Sequence, residues 1–280
     1  MKLKFNRLIT HDTTFHADDV IAVALLIVAG YDGFSLSRTR DKATVEEALR
    51  SSETLILDTG MAYDPVMLNF DHHQDKNLLS AAGLIYNEIK DELLAEEAQP
   101  YFEKWISSID AIDTNRDHIY HLWDQLPSGF RHTSSILGGF NRDPSNAEEQ
   151  DRQFGQAVEM AKSIILNEIY SATKKAESER QYASRVVLEN NVAVFDDYST
   201  VWKEKRDHMF VVMPHANGWQ IQTIDTALDL IPESISLAPG FSFRHMSGFM
   251  ATLDTKENAV SFAATLPHHP SLHKNEVVYQ

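Results

Sequence analysis

The stretch NFDHHQD at residues 69–75 sets two adjacent histidines between two aspartates, a few positions past an Asp64-Pro65 turn. The chain has no cysteine, so thiolate metal sites, disulfides and a cysteine nucleophile are all excluded. Imidazole, carboxylate and backbone oxygen are then the donors left for a divalent cation. Buried without a cation, an Asp-His-His run is costly, whereas on a wet surface it needs no explanation. The deciding question is whether other donors can reach it. THDTTFHADD supplies His11, His16 and Asp18, TLILD ends in Asp58, and SSIDAIDTNRD carries Asp110 and Asp113 on one helix face. Each has a plain alternative: Asp18 and Asp19 as first-turn carboxylates of a helix, Asp58 as a turn cap, Asp110 and Asp113 as a solvated face. Jointly they exceed a tetrahedral zinc set and suit two cations sharing a bridging carboxylate. Two close cations lower the pKa of water between them and neutralise phosphate oxygens. Arg38 and Arg40, in SRTRD, are candidates for bidentate phosphate binding, with an ordinary exposed strand end as the alternative. RDHIYH (116–121) and LPHHPSLH (266–273) read as surface rather than ligand.

These residues need elements to bring them together. Residues 3–10 read as a strand, 17–30 as a buried helix with Gly30 at its end, and 34–38 as a strand. KATVEEALRSS reads as an exposed helix, and 54–58 as a strand buried on both faces. This order predicts a parallel sheet with helices on both sides, and ligand sites in such sheets lie at the C-terminal strand ends. His11, Arg38 and Asp58 all fall there. Residues 59–75 read as a turn-rich loop, short enough to fold back over the same sheet edge. Helices follow at 78–95 and 99–113, then a less regular region at 126–142. A long helix runs from DPSN to about residue 181, its second half a solvated connector. After residue 185 the texture changes to short β segments (185–195, 209–224, 241–245) with one more helix in TKENAVSFAATL. The expected organisation is α/β: residues 1–184 as the metal-binding catalytic domain including the connector, and 185–280 as a smaller α+β domain.

Composition narrows the function. The net charge of −16 disfavours duplex nucleic acid and anionic membranes, but not a short oligonucleotide held by cations and a few arginines. The N-terminus has no apolar core of signal-peptide type, and the run VIAVALLIVAG is too short to span a bilayer. The expectation is a soluble cytoplasmic protein.

THDTTFHADDVIA, SRTRD, LDTGMAYDP, FDHHQ and SIDAID together resemble the melanocyte proliferating gene family of the DHH phosphoesterase superfamily. PGFSFRHMSGFMATLDTKENAVSFA (239–263) resembles that family's C-terminal His-x-Ser-Gly-Phe segment. The resemblance implies a DHH-type α/β domain carrying two divalent ions, Mn²⁺ first and Mg²⁺ or Zn²⁺ as alternatives, with a smaller C-terminal domain closing over substrate. It implies His11, His16, Asp18, Asp58, His72 and Asp113 as ligands, Asp58 bridging, with Asp110 the alternative to Asp113. His73 would face substrate phosphate, Asp71 would orient its neighbouring histidine, and His245, Ser247 and Gly248 would contact substrate. Thr13 and Thr114 stand where relatives carry glycine, and His16 where several superfamily members carry aspartate. Family members are described as 3′–5′ exonucleases on RNA; others in the superfamily cleave short oligonucleotides, cyclic dinucleotides or pyrophosphate. The expected function is a metal-dependent phosphodiesterase acting on short single-stranded RNA or DNA, nucleotides or another small phosphate-containing substrate, with a homodimer as a candidate assembly. A DHH-type pyrophosphatase and a non-catalytic metal- or nucleotide-binding module are the alternatives, and a structural protein whose histidines and aspartates merely cap loops is a third.

Overall fold

The computed structural model describes residues 2–114 and 125–270, so the RDHIYH cluster and the end of LPHHPSLH lie outside the described residues. The chain divides into two compact units, Met1–Thr173 and Lys174–Gln280.

The first unit is built on a five-stranded sheet of order β2-β1-β3-β5-β4. Strand β1 (Arg7–Thr10) lies between β2 (Ser35–Arg38) and β3 (Thr54–Leu57), parallel to both. β5 (Asn69–Phe70) runs parallel to β3, and β4 (Tyr63–Asp64) folds back antiparallel at the edge. Leu8, Ile9, Leu55, Ile56 and Leu57 are all fully buried, the continuous apolar run that a covered parallel strand requires. Ile9 and Ile56 pack on Ala48 of helix α2 (Lys42–Ala48). Helix α1 (Ala17–Val28) is buried along Ala17 to Leu26 and packs on α3 (Ala81–Leu93) and α4 (Gln99–Thr114). Gly30 follows α1 with φ +88, the left-handed geometry that glycine adopts without cost. A short helix α5 (Thr133–Gly138) and the long α6 (Ala147–Ala183) follow.

Residues 174–183 of α6 fall in the second unit. Its sheet has the order β10-β11-β9-β8-β7-β6. The strands are β6 (Val186–Val187), β7 (Ala193–Val194), β8 (Phe210–His215), β9 (Gly218–Thr223), β10 (Phe241–Arg244) and β11 (Met250–Leu253). Among the described residues of this sheet, only β7 and β8 pair in parallel. The one-turn helix α7 (Trp202–Lys205) precedes β8, and α8 (Lys256–Ala263), capped by Thr255, packs on β8 and β9. Both sheets are mixed, and the class is α/β.

Several expectations are corrected. Residues 59–75 are not all loop, because β4 and β5 extend the sheet; two-residue strands are too short to show alternation. The first strand begins at Arg7 rather than residue 3. Phe5 earns its apolar character by stacking on Tyr31 and packing on Phe34 instead. The second half of α6 is more than a solvated connector: Ala172, Ala176 and Tyr182 are buried, and Tyr182 packs with Phe195 and Trp202.

Gly83 yields a prediction. A Cβ there would lie 2.4 Å from Asp110 Oδ1. Glycine to alanine within a helix ordinarily stabilises by about 0.5–1 kcal/mol. Here Gly83→Ala should instead destabilise by about 1–3 kcal/mol, because Asp110 must give up hydrogen bonds. Urea unfolding measures the sign.

Candidate metal centre

Three neighbouring parallel strands end side by side and each delivers a polar residue. His11 follows β1, Asp58 follows β3, and Asp71 and His72 follow β5. Asp58 sits at φ +52, with its N–H donating to Phe70 O at 3.1 Å. A left-handed aspartate at a strand end is strained backbone of the kind found at functional sites. His16 forms the N-cap of α1, and Asp19 Oδ1 accepts from His16 N (3.1 Å) and Val20 N (2.8 Å). Asp113 arrives from the last turn of α4.

The predicted ligands converge. His72 Nε2 lies 3.1 Å from both Asp58 Oδ1 and Asp113 Oδ2, and 3.9 Å from Asp18 Oδ2. His11 Nε2 lies 3.4 Å from Asp58 Oδ2 and 3.3 Å from Asp19 Oδ2. Donor atoms cluster in three groups, His11–His16–Asp58, Asp58–His72–His73 and His16–Asp18–Asp113, each within 4.8 Å. Asp58 and His16 each belong to two of them. Both carboxylate oxygens of Asp18, Asp19 Oδ2, Asp58 Oδ1 and His11 Nε2 are buried without a hydrogen bond. So many buried polar atoms without hydrogen bonds carry a large desolvation cost, which a cation would relieve. The donor set fits an oxygen- and nitrogen-liganded divalent ion.

The electrostatics reflect the same crowding. Burial, followed by the Asp58 and Asp113 charges, holds Asp18 well above the usual carboxylate range. Burial also pushes Asp19 up to about 7. For His72, burial opposes the charged form, but the Asp113 and Asp58 carboxylates outweigh it and raise the pKa to about 10. Burial works to raise Asp58 too, yet His11 and His72 win and hold it well below its ordinary value.

The residues around this core take distinct places. Asp71 Oδ1 accepts from His73 N (2.9 Å) and contacts His73 Nδ1 (2.8 Å), and Oδ2 accepts from Met61 N (2.7 Å). It therefore fixes His73, whose ring is half exposed. Arg40 is largely exposed, with Nη2 2.9 Å from His11 Nδ1. Arg38 departs from expectation as a phosphate ligand. Its Nη1 binds Asp151 (2.9 Å), Nη2 donates to Thr13 O (2.6 Å), and the guanidinium lies over the Phe15 and Phe154 rings. With its side chain only 2% exposed, one arm of the fork is taken by Asp151 of α6 and the other by the loop between β1 and α1. That loop holds Thr13 at φ +62, a costly conformation for a β-branched residue, and Gln150 also donates to Thr13 O (3.0 Å). Asp110 turns to the N-terminus of α3, accepting from Ser80 N (3.0 Å) and Ser80 Oγ (2.6 Å). Asp113, one turn on, is the residue that meets His72. Asp19 was read only as a capping residue; its second oxygen beside His11 leaves no mark in the sequence beyond adjacency to Asp18.

In the second unit, His245, Ser247 and Gly248 form the tight turn between β10 and β11. Ser247 N donates to His245 Nδ1 (3.2 Å), and Gly248, at φ +69, donates to His245 O (2.9 Å). His268 is exposed, and His269 Nε2 pairs with Asp229 Oδ2 at 2.9 Å.

Residues 7–231 match the family described as Uncharacterised protein family UPF0160, MYG1_exonuc. The chain belongs to this family. Proteins named MYG1 exonuclease from Mus musculus and Homo sapiens are 25% and 26% identical to it, over 95% and 93% of this chain and 86% and 85% of their own. A MYG1 protein from Dictyostelium discoideum is 23% identical over 91% of this chain and 94% of its own length. Among solved structures, a pGpG-specific phosphodiesterase, PggH, from Vibrio cholerae aligns over 94% of this chain and 96% of that one, with TM-score 0.33 and 13% identity; a likeness so slight carries no argument. Family membership and the imidazole–carboxylate groups support a metal-associated hydrolytic function in general. No helix among the described residues is long and apolar enough to cross a membrane.

The adjacent aspartates separate by experiment. Asp113→Asn should weaken Mn²⁺ binding by about 10–100-fold or more. Asp110→Asn keeps an acceptor for Ser80 and should change Mn²⁺ affinity far less. Calorimetric titration of the two variants measures the difference.

Proposed function

We propose that this protein is a metal-dependent phosphodiesterase acting on short single-stranded nucleic acid or nucleotides, with a site organised like that of DHH phosphoesterases. The observation that carries this reading is the position of Asp58, a carboxylate shared between the His11–His16 and His72–His73 donor groups. A carboxylate placed between two donor groups would be able to hold both ions of a pair. In this reading His11, His16, Asp18, Asp58, His72 and Asp113 hold the ions, with Mn²⁺ first and Mg²⁺ or Zn²⁺ as alternatives. When bound, the ions supply positive charge against the phosphate and acidify water.

The chain's own residues do the rest. A polar cavity of about 310 Å³ lined by His16, Asp58, His72, His73 and Asp113 is the place for the phosphate. Asp71 aims His73 into position, and half-exposed His73 and Arg40 present hydrogen-bond donors to the anion. His245, Ser247 and Gly248 are assigned to substrate contact, and residues 185–280 to a substrate-binding domain. The relatives named as exonucleases support a nucleic-acid substrate, and the net charge of −16 favours a short one.

His72→Ala and Asp58→Ala should each lower Mn²⁺-dependent hydrolysis by more than about 100-fold while the protein stays folded. The assay uses oligoribonucleotides, cyclic dinucleotides and pyrophosphate side by side. Turnover of pyrophosphate alone would replace this reading with a pyrophosphatase, and bound Mn²⁺ without any turnover would leave a binding module.

The pKa shifts set a pH dependence. Asp18 and Asp19 are raised from their ordinary 3.8, Asp19 to about 7. The stability linked to their protons is full below 3.8 and is lost as pH rises through the folded values. His72 is raised from 6.5 to about 10, so its contribution is full below 6.5 and fades above it. The metal-free cluster therefore weakens as pH rises, whereas cations bind the deprotonated set. Saturating Mn²⁺ should raise the melting temperature more at about pH 8 than at about pH 5.5. Scanning calorimetry with Mn²⁺ and with chelator measures both shifts; a larger shift at the acidic pH would contradict the assignment.

A further inference from the structure

A second cavity, of about 410 Å³, adjoins the polar one and shares His16 and Asp113 with it. Its character is different. Phe15, Ala17, Ile109, Ile112 and Gly138 give it apolar walls, with Thr14, Ser134 and Ser135 as a polar edge. Its volume sits at the lower end of the roughly 300–1,000 Å³ range of ligand pockets, room for one nucleotide-sized group.

The walls are fixed before anything binds. Phe15 is 1% exposed, meets Phe154 edge-on at 5.3 Å, and lies under the Arg38 guanidinium. Asn141 holds the Phe15 backbone from both sides, accepting from its N–H (3.0 Å) and donating to its carbonyl (2.8 Å). Ile109 is buried on α4, one turn before Asp113. A preformed wall spends no binding energy on ordering. Ser134 carries a buried hydroxyl with no hydrogen bond in the protein, which the fold itself does not explain.

We propose that this cavity is a base subsite: it takes the nucleobase attached to the phosphate held at His16 and Asp113, and selects nucleotides over inorganic phosphates. The inference rests on the proposed function and extends it to substrate class. An aromatic heterocycle has apolar faces for Ile112 and the buried apolar wall behind it, and a hydrogen-bonding rim for the polar edge. Pyrophosphate has no part that would enter an apolar cavity.

Gly138 allows a clean test. It lies in helix α5, and a Cβ built on it meets no other atom within 4 Å. Gly138 lines the cavity, so Gly138→Leu adds a bulky apolar side chain at its wall and Gly138→Ala a single methyl group. Binding of inorganic phosphate, ribose 5-phosphate and adenosine 5′-monophosphate is measured by calorimetry in Mn²⁺, with melting temperature as the folding control. The wild-type protein should prefer the nucleotide to phosphate and to ribose 5-phosphate by about tenfold or more. Gly138→Leu should bring that ratio towards one, and Gly138→Ala to an intermediate value. If Gly138→Leu does not fold, the Gly138→Ala ratio decides. A ratio near one in the wild type, or one that the Gly138 variants leave in place, overturns the base subsite while Mn²⁺ and phosphate binding still stand for the proposed function. Loss of Mn²⁺ and phosphate binding in the wild type would overturn the function itself and this subsite with it.

Discussion

Buried carboxylates repel one another, and the first unit gathers several at one point. Asp18, Asp19 and Asp58 are each at most 4% exposed. Two like charges 4 Å apart interact by about 4 kcal/mol at an effective dielectric of 20. Protons, imidazolium groups or cations must offset that cost. Without a cation the offset comes from raised pKa values and from His11 and His72 drawn onto Asp58; with one, the same atoms become ligands.

Much of the surrounding architecture holds that repulsive set in place. The sheet aligns the ends of β1, β3 and β5, and non-glycine residues with positive φ fall in the loops that leave or enter them: Thr13, Asp58, Met61 and Leu68. Strain of this kind persists only where the surroundings over-determine it. At Thr13 the surroundings are visible: Arg38 and Gln150 hold its carbonyl, and Arg38 is held in turn by Asp151 and two phenylalanines. A glycine here would need less restraint, since glycine adopts φ > 0 freely.

A division of labour recurs among the aspartates. Asp19 caps α1 while Asp18 keeps both oxygens without hydrogen bonds. Asp110 fastens α4 to the start of α3 while Asp113 meets His72. Asp71 holds His73 and the Met61 amide while Asp58 stands between the donor groups. In each pair one carboxylate accepts from backbone or side-chain donors of the fold, while the other stands among the imidazoles and carboxylates of the cluster. The capping and metal readings of such residues are therefore complementary.

Residue chemistry and order were legible from the chain itself. With no cysteine, imidazoles, carboxylates and backbone oxygens remain as ligands, and apolar runs of strand length mark β1 and β3, whose ends place His11 and Asp58. Which aspartate of each pair serves which purpose was not legible, because Asp110 and Asp113 differ only by one helical turn. Nor was the fate of Arg38, since a strand-end arginine looks alike whether it meets solvent, a phosphate or Asp151. The β4 and β5 pairings were hidden because a two-residue strand carries no periodicity. Periodicity and donor type are local properties that a sequence states outright. Which oxygen faces which imidazole depends on side chains far apart in the chain, such as Arg38 with Asp151 and Ser80 with Asp110, and only the packed tertiary structure decides that.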